Sequence, residues 1–140
     1  MSRIIAEDTA HFFTYRVYSD DTDHMGIVYH ANFLCFFERA RTEMLRDNGL
    51  SLTTMAIYDT HFAIHDVRIR YLHPARLDDV LTIQTSYERK KSCSLIFKQL
   101  MHNQMNQLVS DADVHVVCVN KKLKPKALPE EFFSGCFEAE

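Results

Sequence analysis

The chain has 140 residues, 46% of them hydrophobic and 25% charged, which is the size and balance of one soluble globular domain, 1–140, with a single core. Its formal net charge of -3 argues against nucleic acid as the main partner, since duplex binders carry a basic face. No apolar run approaches the roughly 20 residues that span a bilayer, and the N-terminus MSRIIAEDTAHFF carries acids and no continuous apolar stretch, so it does not read as a signal peptide.

Taken in chain order, Phe12 to Tyr18 alternates, with Phe13, Tyr15 and Val17 on one side and Thr14 and Arg16 on the other, the pattern of a strand. A polar loop follows. From about Ala31 the period changes: Phe33, Phe36, Phe37, Ala40 and Met44 fall on one helical face, and Asn48-Gly49 predicts its end. After a linker, Ser51 to Thr60, four strand patterns follow. In His61 to Tyr71, His65, Val67, Ile69 and Tyr71 share a face opposite Asp66, Arg68 and Arg70. Val80 to Glu88 and Ser92 to Leu100 flank a charged turn. Leu108 to Asn120 contains VHVVCV, which suits a central strand buried on both faces. Short turns between the later strands imply an antiparallel meander. The expected class is α+β, one long amphipathic helix burying a Phe-rich stripe on an antiparallel sheet of about five strands.

Cys35, Cys93, Cys118 and Cys136 form no C-x-x-C pair, which suggests neither a zinc site nor a disulfide framework. Cys35, Cys93 and Cys118 sit in apolar patterns, where free cysteine acts as a small hydrophobe. The expectation is a reduced, cytoplasmic protein.

The loop and helix start read DDTDHMGIVYHANF, residues 20–33. Asp20, Asp21, Asp23, His24, Gly26 and His30 lie directly before a helix N-terminus. That end presents unpaired N–H groups and the positive end of the helix dipole. Donors that polarise a carbonyl, beside a carboxylate that attacks it or activates water, make an acyl-transfer site. An Asp before a helix is also a common N-cap, and the spacing of His24 and His30 with the acids matches no metal pattern.

The run Arg16 to His30, RVYSDDTDHMGIVYH, resembles the signature of the 4-hydroxybenzoyl-CoA thioesterase family of hotdog proteins. That signature is Thr-Asp, two residues, Gly, two apolar residues and an aromatic-His pair. The similarity continues through FFERARTEMLR (36–46), YLHPARLDDVLTIQT (71–85) and VVCVNKKLKPKALP (116–129). It implies a hotdog fold, the sheet wrapped around one central helix, and hydrolysis of an acyl-CoA thioester. It implies no cofactor, coenzyme A being part of the substrate. Asp23 matches the family's nucleophile or general base. His30 matches the position whose backbone N–H polarises the thioester carbonyl and whose side chain has also been given a catalytic part. Gly26 is the turn glycine, and Tyr29 joins it among the substrate-binding residues. The resemblance is strongest to a branch of small cytoplasmic thioesterases encoded with the Tol-Pal cell-envelope system. Family members form homodimers, often paired into homotetramers, with sites between subunits. Two alternatives are a module that binds acyl carrier protein with little turnover, and a hotdog hydratase or dehydratase pairing Asp23 with His30. Ser19 stands where the branch commonly has Tyr, and strand alternation aims Tyr18 at the other face.

Arg89, Lys90 and Lys91 at one turn, and Lys121, Lys122, Lys124 and Lys126 after the last strand, read as solvated charge or as contacts to the phosphates of coenzyme A. Glu38 and Glu43 each precede an arginine by three residues, Arg41 and Arg46, which surface ion pairs explain. Arg76 reads as structural with Asp78 or Asp79, and His65 as a packed histidine.

Overall fold

The computed structural model describes residues 10–129; Cys136 and most of the N-terminal stretch read above for a signal peptide lie outside them. The Phe-rich stripe becomes the buried face of α1 (Asn32–Asp47): Phe33, Phe36, Phe37, Ala40 and Met44 are buried, joined by Leu45. Each buried phenylalanine contributes about 2–3 kcal/mol, so the stripe pins the helix to the sheet. The helix stops where Asn48-Gly49 predicts. Gly49 adopts φ +81, and the N–H groups of Gly49 and Leu50 bond back to the Arg46 and Leu45 carbonyls at 2.9 and 2.8 Å. This double closure satisfies carbonyls that the helix end leaves open.

The sheet comprises β1 (His11–Arg16), β2 (His61–Tyr71), β3 (Val80–Lys91), β4 (Ser94–His102) and β5 (Leu108–Val119). Their spatial order is β1-β3-β4-β5-β2, with antiparallel pairing throughout. The short turns make β3, β4 and β5 the expected meander. β2 does not join that run beside β3. α1 carries the chain across the sheet's concave face, so β1 and β2 become opposite edges. Leu81, Ile83, Tyr87, Leu95, Phe97, Met101, Val114 and Val116 form the inner wall against α1.

Four expectations change. The linker contains a short helix, α2 (Leu52–Ile57), capped by the Ser51 hydroxyl accepting from Thr54 N–H. His65 does not pack with Val67: the register shifts between Ile64 and Asp66, and His65, the extra residue of a β-bulge, is exposed with its ring edge-on to His115 at 4.9 Å. One added residue reverses strand parity, so Phe62 and Ile64 share the inner face with Val67. β5 is buried on one face only, Val114, Val116 and Cys118 inward, with His115 and Val117 half-buried. Cys35 is exposed, because it lies on the flank of α1 beside the stripe.

Candidate active site

Strand β1 ends at Arg16, and Val17 N–H bonds to the Asp79 carbonyl at 2.9 Å. The chain then winds into a 3₁₀ turn, Ser19–Asp21. The Asp21 carboxylate turns inward, accepting the Tyr15 hydroxyl at 2.8 Å and the Tyr18 N–H at 2.9 Å. Burial, and then the bond to Asp21, push the Tyr15 phenol up to about 12. Tyr18 departs from the alternation read in the sequence. Because the strand has already ended, its ring lies 6.2 Å from that of Tyr15 and is 58% exposed.

Asp23 opens a tight hairpin. Its N–H bonds to the Ile27 carbonyl at 2.8 Å and its carbonyl accepts from Gly26 at 3.1 Å, a three-residue loop that requires a left-handed residue at its end. Gly26 fills that place with φ +77, and an added Cβ there meets nothing within 4 Å. The glycine serves the backbone angle rather than a close approach. Asp23 Oδ1 accepts the Met25 N–H at 2.8 Å, while no partner among the described residues bonds Oδ2. The hairpin is strapped to the segment before β3 by Val28 N–H to the Ala75 carbonyl at 2.7 Å and Leu77 N–H to the Gly26 carbonyl at 3.3 Å.

The helix start is tied to the same loop. Tyr29 N–H and the Asn32 side-chain amide both donate to the Asp21 carbonyl, at 3.1 and 3.0 Å. Helical winding begins one turn before the regular ladder: Asn32, Phe33 and Leu34 donate to the carbonyls of Tyr29, His30 and Ala31 at 2.8, 3.3 and 3.2 Å. Ala31 stands at the cap and offers no side-chain acceptor. The N–H groups of His30 and Ala31 consequently have no partner among the described residues. Two open donors at the positive end of a helix suit an anionic oxygen.

Tyr71, given no role from the sequence, braces this end. Its hydroxyl donates to the His30 carbonyl at 2.9 Å, and its ring stacks on Phe33 with centroids 5.1 Å apart. Burial holds its phenol above the usual value. Tyr29 and His30 are exposed, their rings 4.5 Å apart. The strand pattern marks Tyr71 as inward-facing, but its reach to His30 spans 41 residues of sequence.

Arg89, Lys90 and Lys91 stand elsewhere. The start of β3 pairs with Arg16 beside the loop, at Val80, whereas Lys91 ends the same strand, about 36 Å further on at strand rise. Lys90 pairs with Glu88, and Arg89 Nε donates to the Lys91 carbonyl at 3.3 Å. The basic turn therefore does not meet Asp23 within one protomer. Of the helix acids, Glu43 pairs with Arg46 as expected, but Arg41 hydrogen-bonds Gln99 at 3.0 Å instead of Glu38. Arg76 meets Asp79 through its backbone N–H at 2.9 Å. Among the described residues no group of three or more His, Cys, Asp or Glu is placed to hold a metal ion, and no helix is long and apolar enough to cross a membrane.

A groove of about 420 Å³ runs along the flank of α1, from Leu34 and Cys35 to Leu45, and is closed on the other side by Phe62, Ile64 and Val67 of β2. A long helix laid across a five-stranded antiparallel sheet is the hotdog architecture, and similarity to known proteins places it in the thioesterase class. The sequence profile of the Thioesterase-like superfamily matches residues 17–134. The acyl-CoA thioester hydrolase YbgC of Escherichia coli O6:H1 is 46% identical over 116 residues, 82% of this chain and 87% of that protein. The acyl-CoA thioesterase YbgC of Haemophilus influenzae is 42% identical over 127 residues, covering 89% and 92%. Among solved structures, a probable thioesterase from Bartonella henselae superposes with a TM-score of 0.82 at 35% identity, over 86% of this chain and all (100%) of that one. The chain belongs to the thioesterase-like superfamily and, within it, to the YbgC group of acyl-CoA thioesterases.

Proposed function

We propose that the protein hydrolyses an acyl-CoA thioester to a carboxylic acid and coenzyme A. The thioester carbonyl oxygen takes the His30 and Ala31 N–H groups, where the negative charge that develops on attack is stabilised by the helix end. Asp23 acts as the nucleophile or as the general base that draws a proton from water. Thiolate is a good leaving group, so one carboxylate and an oxyanion site suffice without a Ser-His pair. The observation that carries the reading is the pair of open donors at an uncapped helix start, in a chain 46% identical to a YbgC hydrolase. Gly26 and Tyr29 shape the approach to Asp23, and the His30 ring borders it.

The functional unit in this reading is a cytoplasmic homodimer, pairing further into a homotetramer. β2 is an edge strand of 11 residues on which Ile64, Val67 and Tyr71 are 52%, 38% and 45% exposed, and an apolar unpaired edge favours a second strand. Arg89, Lys90 and Lys91 then serve coenzyme A phosphates from a neighbouring protomer, since their own loop is beyond reach.

Incubating the protein with a panel of acyl-CoAs and a thiol reagent tests the proposal. Release of free coenzyme A is expected. Tight binding of acyl carrier protein without thiol release would favour a binding module. Hydration of an enoyl thioester without thiol release would favour the hydratase alternative.

A further inference from the structure

The groove beside α1 is apolar along most of its length, but Glu38, Arg41 and Thr42 line it at mid-course. Arg41 is fixed from beneath. Its Nη1 donates to Gln99 Oε1 at 3.0 Å, while Gln99 Nε2 donates to the Phe37 carbonyl at 2.9 Å and to Thr85 Oγ1 at 3.0 Å. Gln99 and Thr85 are buried, at 1% and 0% exposure, so this relay locks one side of the guanidinium to the sheet. Arg41 Cζ also lies 6.0 Å from the centre of the Phe97 ring.

An arginine has five N–H donors. The bond to Gln99 is the only hydrogen bond that the Arg41 guanidinium makes among the described residues. Glu38 acts on Arg41 through space without bonding it. Fastening the helix to the sheet needs one donor, which a neutral side chain could supply. Arg41 is half-buried and lines the groove, so its remaining donors are left for groups that enter it, and an oxygen brought by a ligand would take them in a charge-assisted bond.

The groove begins one helical turn beyond the helix start. His30 and Ala31 lie one turn before Leu34 and Cys35 on the same helix face, and Leu34 and Cys35 line the groove. From Leu34 to Arg41 is about 10 Å along the axis, and an arginine on a helix leans back toward the N-terminus. A thioester carbonyl held at the open donors sends its acyl group past Leu34, Cys35 and Val67 toward Arg41.

We infer that Arg41 is a specificity-determining residue, which reads an oxygen function, whether hydroxyl or carboxylate, carried on the hydrocarbon part of the acyl group. This rests on the thioesterase reading above. The test compares kcat/KM for acyl-CoAs matched in chain length, one plain, one with a terminal hydroxyl and one with a terminal carboxylate, in the native protein and in Arg41→Met and Arg41→Lys.

The native protein should favour an oxygenated member about tenfold or more, chiefly through KM, as expected for a hydrogen bond to a charged donor. Arg41→Met should bring the ratio close to one, and Arg41→Lys, which keeps the charge and loses the fork, should fall between. A preference confined to the hydroxyl or to the carboxylate supports the assignment and names the oxygen. Equal kcat/KM across the native panel, or an undiminished preference in folded Arg41→Met, overturns it while leaving the thioesterase reading standing. Should Arg41→Met fail to fold, the native panel and Arg41→Lys still decide. If no member is hydrolysed at all, the thioesterase reading fails, and this one with it.

Discussion

Asp21, two residues before Asp23, takes the hydroxyl of Tyr15 on its carboxylate at 2.8 Å. The bond divides the acidic loop into two roles. Asp21 is structural: its side chain closes the 3₁₀ turn onto β1 and its carbonyl anchors the helix start through Tyr29 and Asn32. Asp23 is left with one carboxylate oxygen bound within its own turn and the other without a partner among the described residues.

Alkaline titration follows from that bond. Burial, then the Asp21 contact, raise the Tyr15 phenol to about 12, against about 10 in an unfolded chain. Between these values the folded state holds a proton that the unfolded state has lost. Stability from this group is therefore complete below pH about 10 and declines as pH rises toward about 12. Urea unfolding followed over that range should show the decline in the native protein. Tyr15→Phe should show a shallower one, and equal slopes would count against the account.

Gly26→Ala tests the hairpin. The site has room for a methyl group, but φ is +77, so the cost is one of backbone conformation, about 1–2 kcal/mol. Gly26→Asn should cost less, since asparagine tolerates the left-handed region. The midpoint of denaturant unfolding at unchanged slope measures both, and equal losses would show that the backbone angle is not what matters.

Much of this architecture is legible in the sequence because it is local. The stripe Phe33, Phe36, Phe37, Ala40, Met44 declares its helix, Gly49 its end, and Thr22-Asp23 with Gly26 its turn. The remainder depends on partners distant in the chain. One extra residue at His65 reverses the parity of β2, and nothing in its own composition announces this. That Arg41 answers Gln99 and not Glu38 depends on a contact 58 residues away. The difference between Asp21 and Asp23 rests on where the Tyr15 hydroxyl lies, and the open donors on the absence of a capping side chain at Ala31.

Gln99 should be among the costlier polar positions to replace. Gln99→Leu removes two donor contacts and an acceptor from the core and leaves the Arg41 guanidinium without its bond, at about 2–3 kcal/mol. Thr85→Val removes a single acceptor and should cost about 1 kcal/mol. Chemical denaturation of both variants checks the ranking, and a reversed order would argue that the relay is not centred on Gln99.

Ile64→Lys places a charge on the apolar edge strand. Sedimentation at matched concentration should find the native protein as a dimer or tetramer and the variant shifted toward monomer. A native protein that sediments as a monomer would remove the assembly, and with it the in-trans role of Arg89, Lys90 and Lys91.

The most direct test of the central claim is single-turnover hydrolysis of an acyl-CoA by the native protein and by Asp23→Asn, with binding of the thioester measured in parallel. The account predicts that thiol release slows by about a hundredfold or more, while the dissociation constant changes by no more than about threefold. Release at the native rate from a folded Asp23→Asn protein would contradict it.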